Sequence, residues 1–162
     1  MMVEIQGIGF HNKGSELMLC AILDRLRHSV PGIEFAVPPE AGAYPDRARY
    51  GLYQRMLSRE YGKAGILLDL LMHRGYRRKY GLVDASEVDV VLDAFGFAYG
   101  DYWGHEVAER SADRARAARQ AGNKIIILPQ AFGPFTLPRI RKATADLIRN
   151  SDLTYARDME SY

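Results

Sequence analysis

A single cysteine, Cys20, excludes an internal disulfide framework and any cysteine-based metal site. It falls among Leu17, Leu19, Ile22 and Leu23 and reads as a small core residue. Long hydrophobic runs are missing too. The longest apolar stretch, residues 64–72, is broken by Gly65 and Asp69 and is far too short to span a bilayer. The N-terminus enters directly into a strand pattern containing Glu4 and Gln6, so no secretory segment is read there. Together these scarcities imply a reducing, cytoplasmic setting, with association at a membrane surface left open. Charge of one sign is equally scarce. A net charge of +2 gives no argument for nucleic acid, and the basic cluster Arg74, Arg77, Arg78 and Lys79 sits near the end of a predicted helix. Cations there complement the helix dipole.

What is present is ordinary for one soluble domain: 162 residues, 48% apolar and 26% charged, enough to bury a core. The chain repeats one arrangement, an apolar run, then a loop rich in Gly, Asn, Gln or Asp, then a helical stretch. The runs cover residues 3–9, 88–93, 125–129 and 153–156, with a weaker one at 33–37. Helices are predicted from Gly14 to Pro31, Lys63 to Tyr80, Gly104 to Gln120 and Leu137 to Asn150. Their inward faces read Leu19, Ile22, Leu23 and Leu26; Ile66, Leu67, Leu70 and Leu71; Ala108, Ala112 and Ala115; and Ile140, Ala143, Leu147 and Ile148. Residues 38–62 carry no strand signal. Their tyrosines and arginines (Tyr44, Tyr50, Tyr53, Tyr61, Arg47, Arg49, Arg55, Arg59) suit either sugar or phosphate recognition or plain packing over the sheet. The order predicts an α/β fold, a Rossmann-like parallel sheet with helices on both faces, as a single domain over residues 1–162.

Loops that follow parallel strands gather at one sheet edge, where ligands bind. The first, Gly9-Phe-His-Asn-Lys-Gly14, lacks the spacing of a dinucleotide site, and no acid follows the second strand. His11 and Asn12 can each donate or accept towards the helix start at Gly14, although Asn12 is equally well read as a cap. Asp93 closes a strand and suits either a sugar hydroxyl or the neighbouring backbone, while Gly96 permits close backbone approach. Asp101 reads as a helix cap. Gln130 leaves a strand expected to be covered on both faces, with its amide aimed into the crevice to orient a substrate. Arg157 closes a last strand, also expected to be buried, and can hold a carboxylate or phosphate bidentately; its competing reading is a weak pair with Asp158. No metal site is read.

Four motifs in order then resemble the polysaccharide pyruvyl transferase family: His11-Asn-Lys-Gly-Ser-Glu16, Val90-Val-Leu-Asp-Ala-Phe-Gly-Phe97 with Gly100-Asp101, Leu128-Pro-Gln-Ala-Phe-Gly-Pro134, and Ala156-Arg-Asp158 with Ser161. The resemblance implies transfer of pyruvyl from phosphoenolpyruvate onto a sugar of a polysaccharide or lipid-linked glycan, as a ketal. That is the chemistry of exopolysaccharide and cell-wall biosynthesis, with no cofactor beyond the donor substrate. It also implies two Rossmann-like domains facing a cleft, as in the GT-B glycosyltransferases, of which this sequence resembles the N-terminal one. The family's general acid/base histidine lies in the other domain, so the expectation is a chain inactive alone, with only Arg157 carried over as donor-binding. Two rival readings share the architecture: half of a nucleotide-sugar glycosyltransferase, or a non-catalytic glycan-binding fragment using Tyr50 and Tyr53.

Overall fold

Parallel strands need a crossover between them, and here helices and turns supply it. The computed structural model describes residues 1–56 and 72–162. Its strands are β1 (Met2–Gln6), β2 (Glu34–Val37), β3 (Leu52–Arg55), β4 (Leu82–Val83), β5 (Val90–Asp93), β6 (Lys124–Gln130) and β7 (Leu153–Ala156). They form one seven-stranded sheet, β4-β3-β2-β1-β5-β6-β7, and the pairings are parallel. The helices are α1 (Lys13–Ser29), α2 (Tyr44–Arg49), α3 (Arg74–Lys79), α4 (His105–Gln120) and α5 (Pro138–Asn150). This is the α/β, Rossmann-like fold that the alternation of apolar runs and helical stretches predicts. Among the described residues no helix is long and apolar enough to cross a membrane. The chain groups into two compact units, Met1–Asp89 and Val90–Tyr162.

In the first unit β1 is buried along its whole length, as strands covered on both faces are. α1 lays Leu19 and Leu23 inward, while Ile22 and Leu26 are only half-buried. Pro38 follows the last residue of β2, where a missing N–H costs no ladder bond. Two strands depart from the sequence reading. β3 falls inside the stretch read as strandless, because one of its buried positions is Arg55 and no apolar alternation marks it. β4 is two residues long, too short to leave a pattern. Of the helix predicted over Lys63 to Tyr80, the structure shows α3. Ile66, Leu67, Leu70 and Leu71, like Arg59 and Tyr61, lie outside the described residues.

Three of the four cations on α3 are paired locally. Arg74 and Arg77 pair with Glu87 at 2.7 and 3.3 Å, and Arg78 bridges Glu34 and Glu87 at 2.8 and 3.2 Å. Arg78 also lies over the Tyr53 ring at 4.8 Å. Through these pairs the guanidinium groups hold α3 to β2 and to the turn before β5.

The second unit packs α4 and α5 against each other and links them by the Arg139–Glu109 pair at 2.9 Å. Ala108, Ala112 and Ala115 are buried, as the thin alanine face predicts. On α5, Ile140, Ala143 and Leu147 are buried but Ile148 is exposed. β6 alternates: Ile125 and Ile127 are buried, and Ile126 and Leu128 only half so. β7 is not the buried strand expected. It is the last strand of the sheet order, and Leu153 and Tyr155 are exposed.

Candidate functional site

The loop after β1 folds around its own backbone. Asn12 Oδ1 accepts from the N–H groups of Gly14 (2.9 Å) and Ser15 (3.4 Å), so this side chain is the N-cap of α1. Ser15 Oγ in turn accepts from Gly9 N–H at 2.8 Å. Gly14 sits close enough that a Cβ would stand 3.3 Å from Asn12 Oδ1. His11 is exposed at the head of this turn. Behind it, Tyr50 Oη donates to Glu16 Oε1 at 2.5 Å, which pushes the phenol up to about 12. The Lys13 ammonium, hydrogen-bonded to the Glu16 carboxyl, and the Tyr50 hydroxyl hold that carboxyl below the usual range. Phe10 stacks on Tyr50 with centroids 5.7 Å apart, and only a glycine at 42 leaves room for the Phe10 ring. Tyr50 and Tyr53 therefore pack within the unit, and Arg47 is buried with Nη1 donating to Gly42 O at 2.5 Å. The packing reading of the tyrosine and arginine segment is the one observed at these positions.

A buried polar cluster lies beneath, on β1 and β3. Arg55 Nε donates to Glu4 Oε1 at 2.8 Å, and Gln6 Nε2 donates to the same oxygen at 3.0 Å. Glu4 is 3% exposed. Ala36, paired with Glu4 on one side and Tyr53 on the other, is the small residue that separates the two strands there.

In the second unit the loops after β5, β6 and β7 are tied together. The Ala131 N–H donates to Gly96 O at 2.9 Å, and the Arg157 N–H donates to Gln130 O at 2.9 Å. Gly133 N–H donates to Tyr99 O at 2.8 Å, and the Asp101 N–H donates to Pro134 O at 3.0 Å. A Cβ at Gly100 would sit 2.2 Å from Gly133 O, so this approach demands glycine. Thus Gly96, Gln130 and Arg157, read separately from the sequence, stand along one hydrogen-bonded seam, with Asp93 three residues before Gly96.

Asp93 is 4% exposed and accepts from the Phe95 N–H (3.2 Å) and from Tyr99 Oη. Burial raises its carboxyl to about 6, against the opposing pull of those two bonds. Tyr99 is fully buried, and burial beside the Asp93 carboxyl pushes its phenol well above the ordinary value. Gln130 is also fully buried rather than presented to solvent: Nε2 donates to Ala131 O at 3.1 Å and Oε1 has no partner. Asp101 is not the helix cap expected: its carboxylate accepts from Thr136 N–H at 2.9 Å and Leu137 N–H at 3.4 Å, in the two residues before α5, and so ties two loops together.

Arg157 is the exposed cation of this seam. Its guanidinium is 3.9 Å from Asp158, and both side chains are about half exposed, so the pair is weak. Asp158 is instead engaged by Ser161, whose Oγ and N–H donate to it at 2.6 and 3.0 Å. Ser161 Oγ also accepts from Phe132 N–H at 2.9 Å, anchoring the turn after β7 to the loop after β6. The same turn borders a groove of about 550 Å³ lined by Phe132, Phe135, Thr144, Tyr155 and Ser161. Among the described residues, no cluster of His, Cys, Asp and Glu is disposed to hold a metal ion.

This arrangement of strand-end loops coincides with a family match. The family model described as polysaccharide pyruvyl transferase covers residues 12–162. The chain belongs to the polysaccharide pyruvyl transferase family. No curated protein and no solved structure matches it. The family match spans Asn12, Asp93, Gly96, Gln130 and Arg157 and makes this a pyruvyltransferase-like domain, of a family that implies a sugar or glycan acceptor. Sequence reading missed Tyr99, whose hydroxyl bonds Asp93, and Ser15, which locks the first loop. Tyr99 stands in a loop so rich in aromatics that no periodicity separates the buried ring from the exposed ones.

Proposed function

We propose that this domain serves an enzyme that transfers pyruvyl from phosphoenolpyruvate to a sugar of a glycan, forming a cyclic ketal. The bonds balance without a cofactor. Two sugar hydroxyl oxygens bond to the enol carbon, the carbon–oxygen bond to phosphate breaks, one hydroxyl proton goes to the methylene to make a methyl group, and the other leaves with inorganic phosphate. Such a donor carries a carboxylate and a phosphate, so the site needs a cation that is fixed and not already spent. The observation that carries this reading is Arg157: its backbone is bonded to Gln130, its turn is anchored through Ser161, and its guanidinium is only weakly engaged by Asp158. A planar guanidinium so placed can grip either anion bidentately. Gly96 and the neighbouring loop backbone supply close approach, and the chain's part in catalysis is to bind and position the donor. No residue of this chain is assigned the proton transfers. The reading sets the reaction in the cytoplasm, on a soluble or lipid-linked acceptor.

The test is incubation of the full-length protein with phosphoenolpyruvate and glycan acceptors, following inorganic phosphate and the ketal methyl resonance by NMR. Both should appear together, and Arg157→Ala should remove at least nine-tenths of the rate. Consumption of a nucleotide sugar with phosphoenolpyruvate untouched would establish the glycosyltransferase reading instead.

A further inference from the structure

The loop from Asp93 to His105 contains five aromatics, Phe95, Phe97, Tyr99, Tyr102 and Trp103, and otherwise only Ala, Gly, Asp and His. Tyr99 goes inward to Asp93. Three others go outward: Phe97 is 48% exposed, Trp103 45% and Tyr102 88%. They touch one another around Trp103, with centroids 5.5 Å to Phe97 at 54° and 5.3 Å to Tyr102 at 81°. Large exposed aromatics in contact are costly to keep in water unless something covers them. Their mounting is stiff. The turn Asp101–Trp103 is closed by Trp103 N–H to Gly100 O at 3.2 Å and Gly104 N–H to Asp101 O at 3.3 Å. Asp101 is bonded through its backbone to Pro134 and through its carboxylate to Thr136 and Leu137.

We propose that Phe97, Tyr102 and Trp103 form a stacking platform for a pyranose ring of the acceptor glycan, a proposal that rests on the pyruvyltransferase reading above. A pyranose presents a face of C–H groups to the negative face of an aromatic ring and leaves its hydroxyls at the rim. The loop has no Leu, Ile, Val or Met, so aromatic rings make up most of the apolar surface it exposes. The Asp101 carboxylate, kept ionised chiefly by the Thr136 hydroxyl, adds an acceptor for sugar hydroxyls at the foot of the turn. The platform follows β5 directly, in the same unit as Arg157.

Trp103 is the only tryptophan in the sequence, so fluorescence excited selectively at tryptophan reads this position alone. The full chain is screened on a printed array of microbial oligosaccharides, and bound glycans are titrated in solution against Trp103 emission. Binding should shift the emission, and Trp103→Ala and Tyr102→Ala should each weaken binding at least tenfold on the array. Tyr102 is too exposed for its removal to disturb folding, so that variant remains decisive should Trp103→Ala fold poorly. Absence of binding to any glycan, or binding equal in both variants with unmoved emission, overturns the platform. Phosphoenolpyruvate is titrated in parallel by calorimetry. Donor binding without glycan binding sinks the platform and leaves the transferase reading standing; glycan binding without donor binding does the reverse.

Discussion

Glu4 in the first unit and Asp93 in the second are both buried carboxylates, and the two are treated in opposite ways. Glu4 in the first unit has a guanidinium and an amide donating to a single oxygen. Asp93 in the second, equally buried, has a phenol and one backbone N–H, and its charge is matched by no cation among the described residues. Nearby, Gln130 keeps a buried carbonyl oxygen with no partner, and Arg157, which could have neutralised something, is left facing solvent. The first unit uses its charges to hold strands together. The second leaves polar groups incompletely satisfied beside an exposed cation, the pattern expected where function overrides stability.

The comparison breaks if the two carboxylates respond alike. Glu4→Ala strips the Arg55 guanidinium and the Gln6 amide of a shared acceptor, and should cost about 3–5 kcal/mol in urea unfolding. Asp93 should behave differently because its folded pKa lies above its unfolded one. Its neutral form stabilises the fold, that contribution is complete below about pH 4, and it is lost as pH rises through about 6. Across that window the native chain should lose about 3 kcal/mol relative to Asp93→Asn, which has no carboxyl there to ionise. Unfolding free energies of the two proteins at pH 4 and pH 7 supply the check, and parallel curves would refute the uncompensated carboxylate. A smaller effect sharpens the same contrast within the first unit. Asn12→Ala removes the cap of α1 and should lower the melting stability by about 1 kcal/mol, while leaving phosphoenolpyruvate binding within twofold, since this side chain is spent on the helix.

How much of this was legible in advance follows from where burial and chemistry coincide. β1, β5 and β6 were readable because their apolar runs end in glycine, acid and proline, and β7 from its short run before Arg157. α4 was readable from its alanine stripe and α5 from three of its four inward residues. β3 was hidden because a buried arginine holds one of its inward positions, and the carboxylate that makes this tolerable lies 51 residues away in sequence. β7 was placed but its burial misjudged, since the apolar pattern of a strand does not reveal that it ends the sheet. At the site, the two readings of Asn12 could not be separated until Gly14 and Ser15 were seen bonded to it. The burial of Gln130 was illegible for a related reason: a glutamine ending a strand looks the same in sequence whether it is solvated or sealed.

The most direct test of the central claim is calorimetric titration of phosphoenolpyruvate into the full-length protein and its Arg157→Ala variant at neutral pH. The account predicts saturable binding to the native protein and a loss of at least thirtyfold in the variant, about 2 kcal/mol, with unfolding free energy changed by less than about 0.5 kcal/mol, as for other exposed side chains. Equal affinity in the two proteins would contradict it.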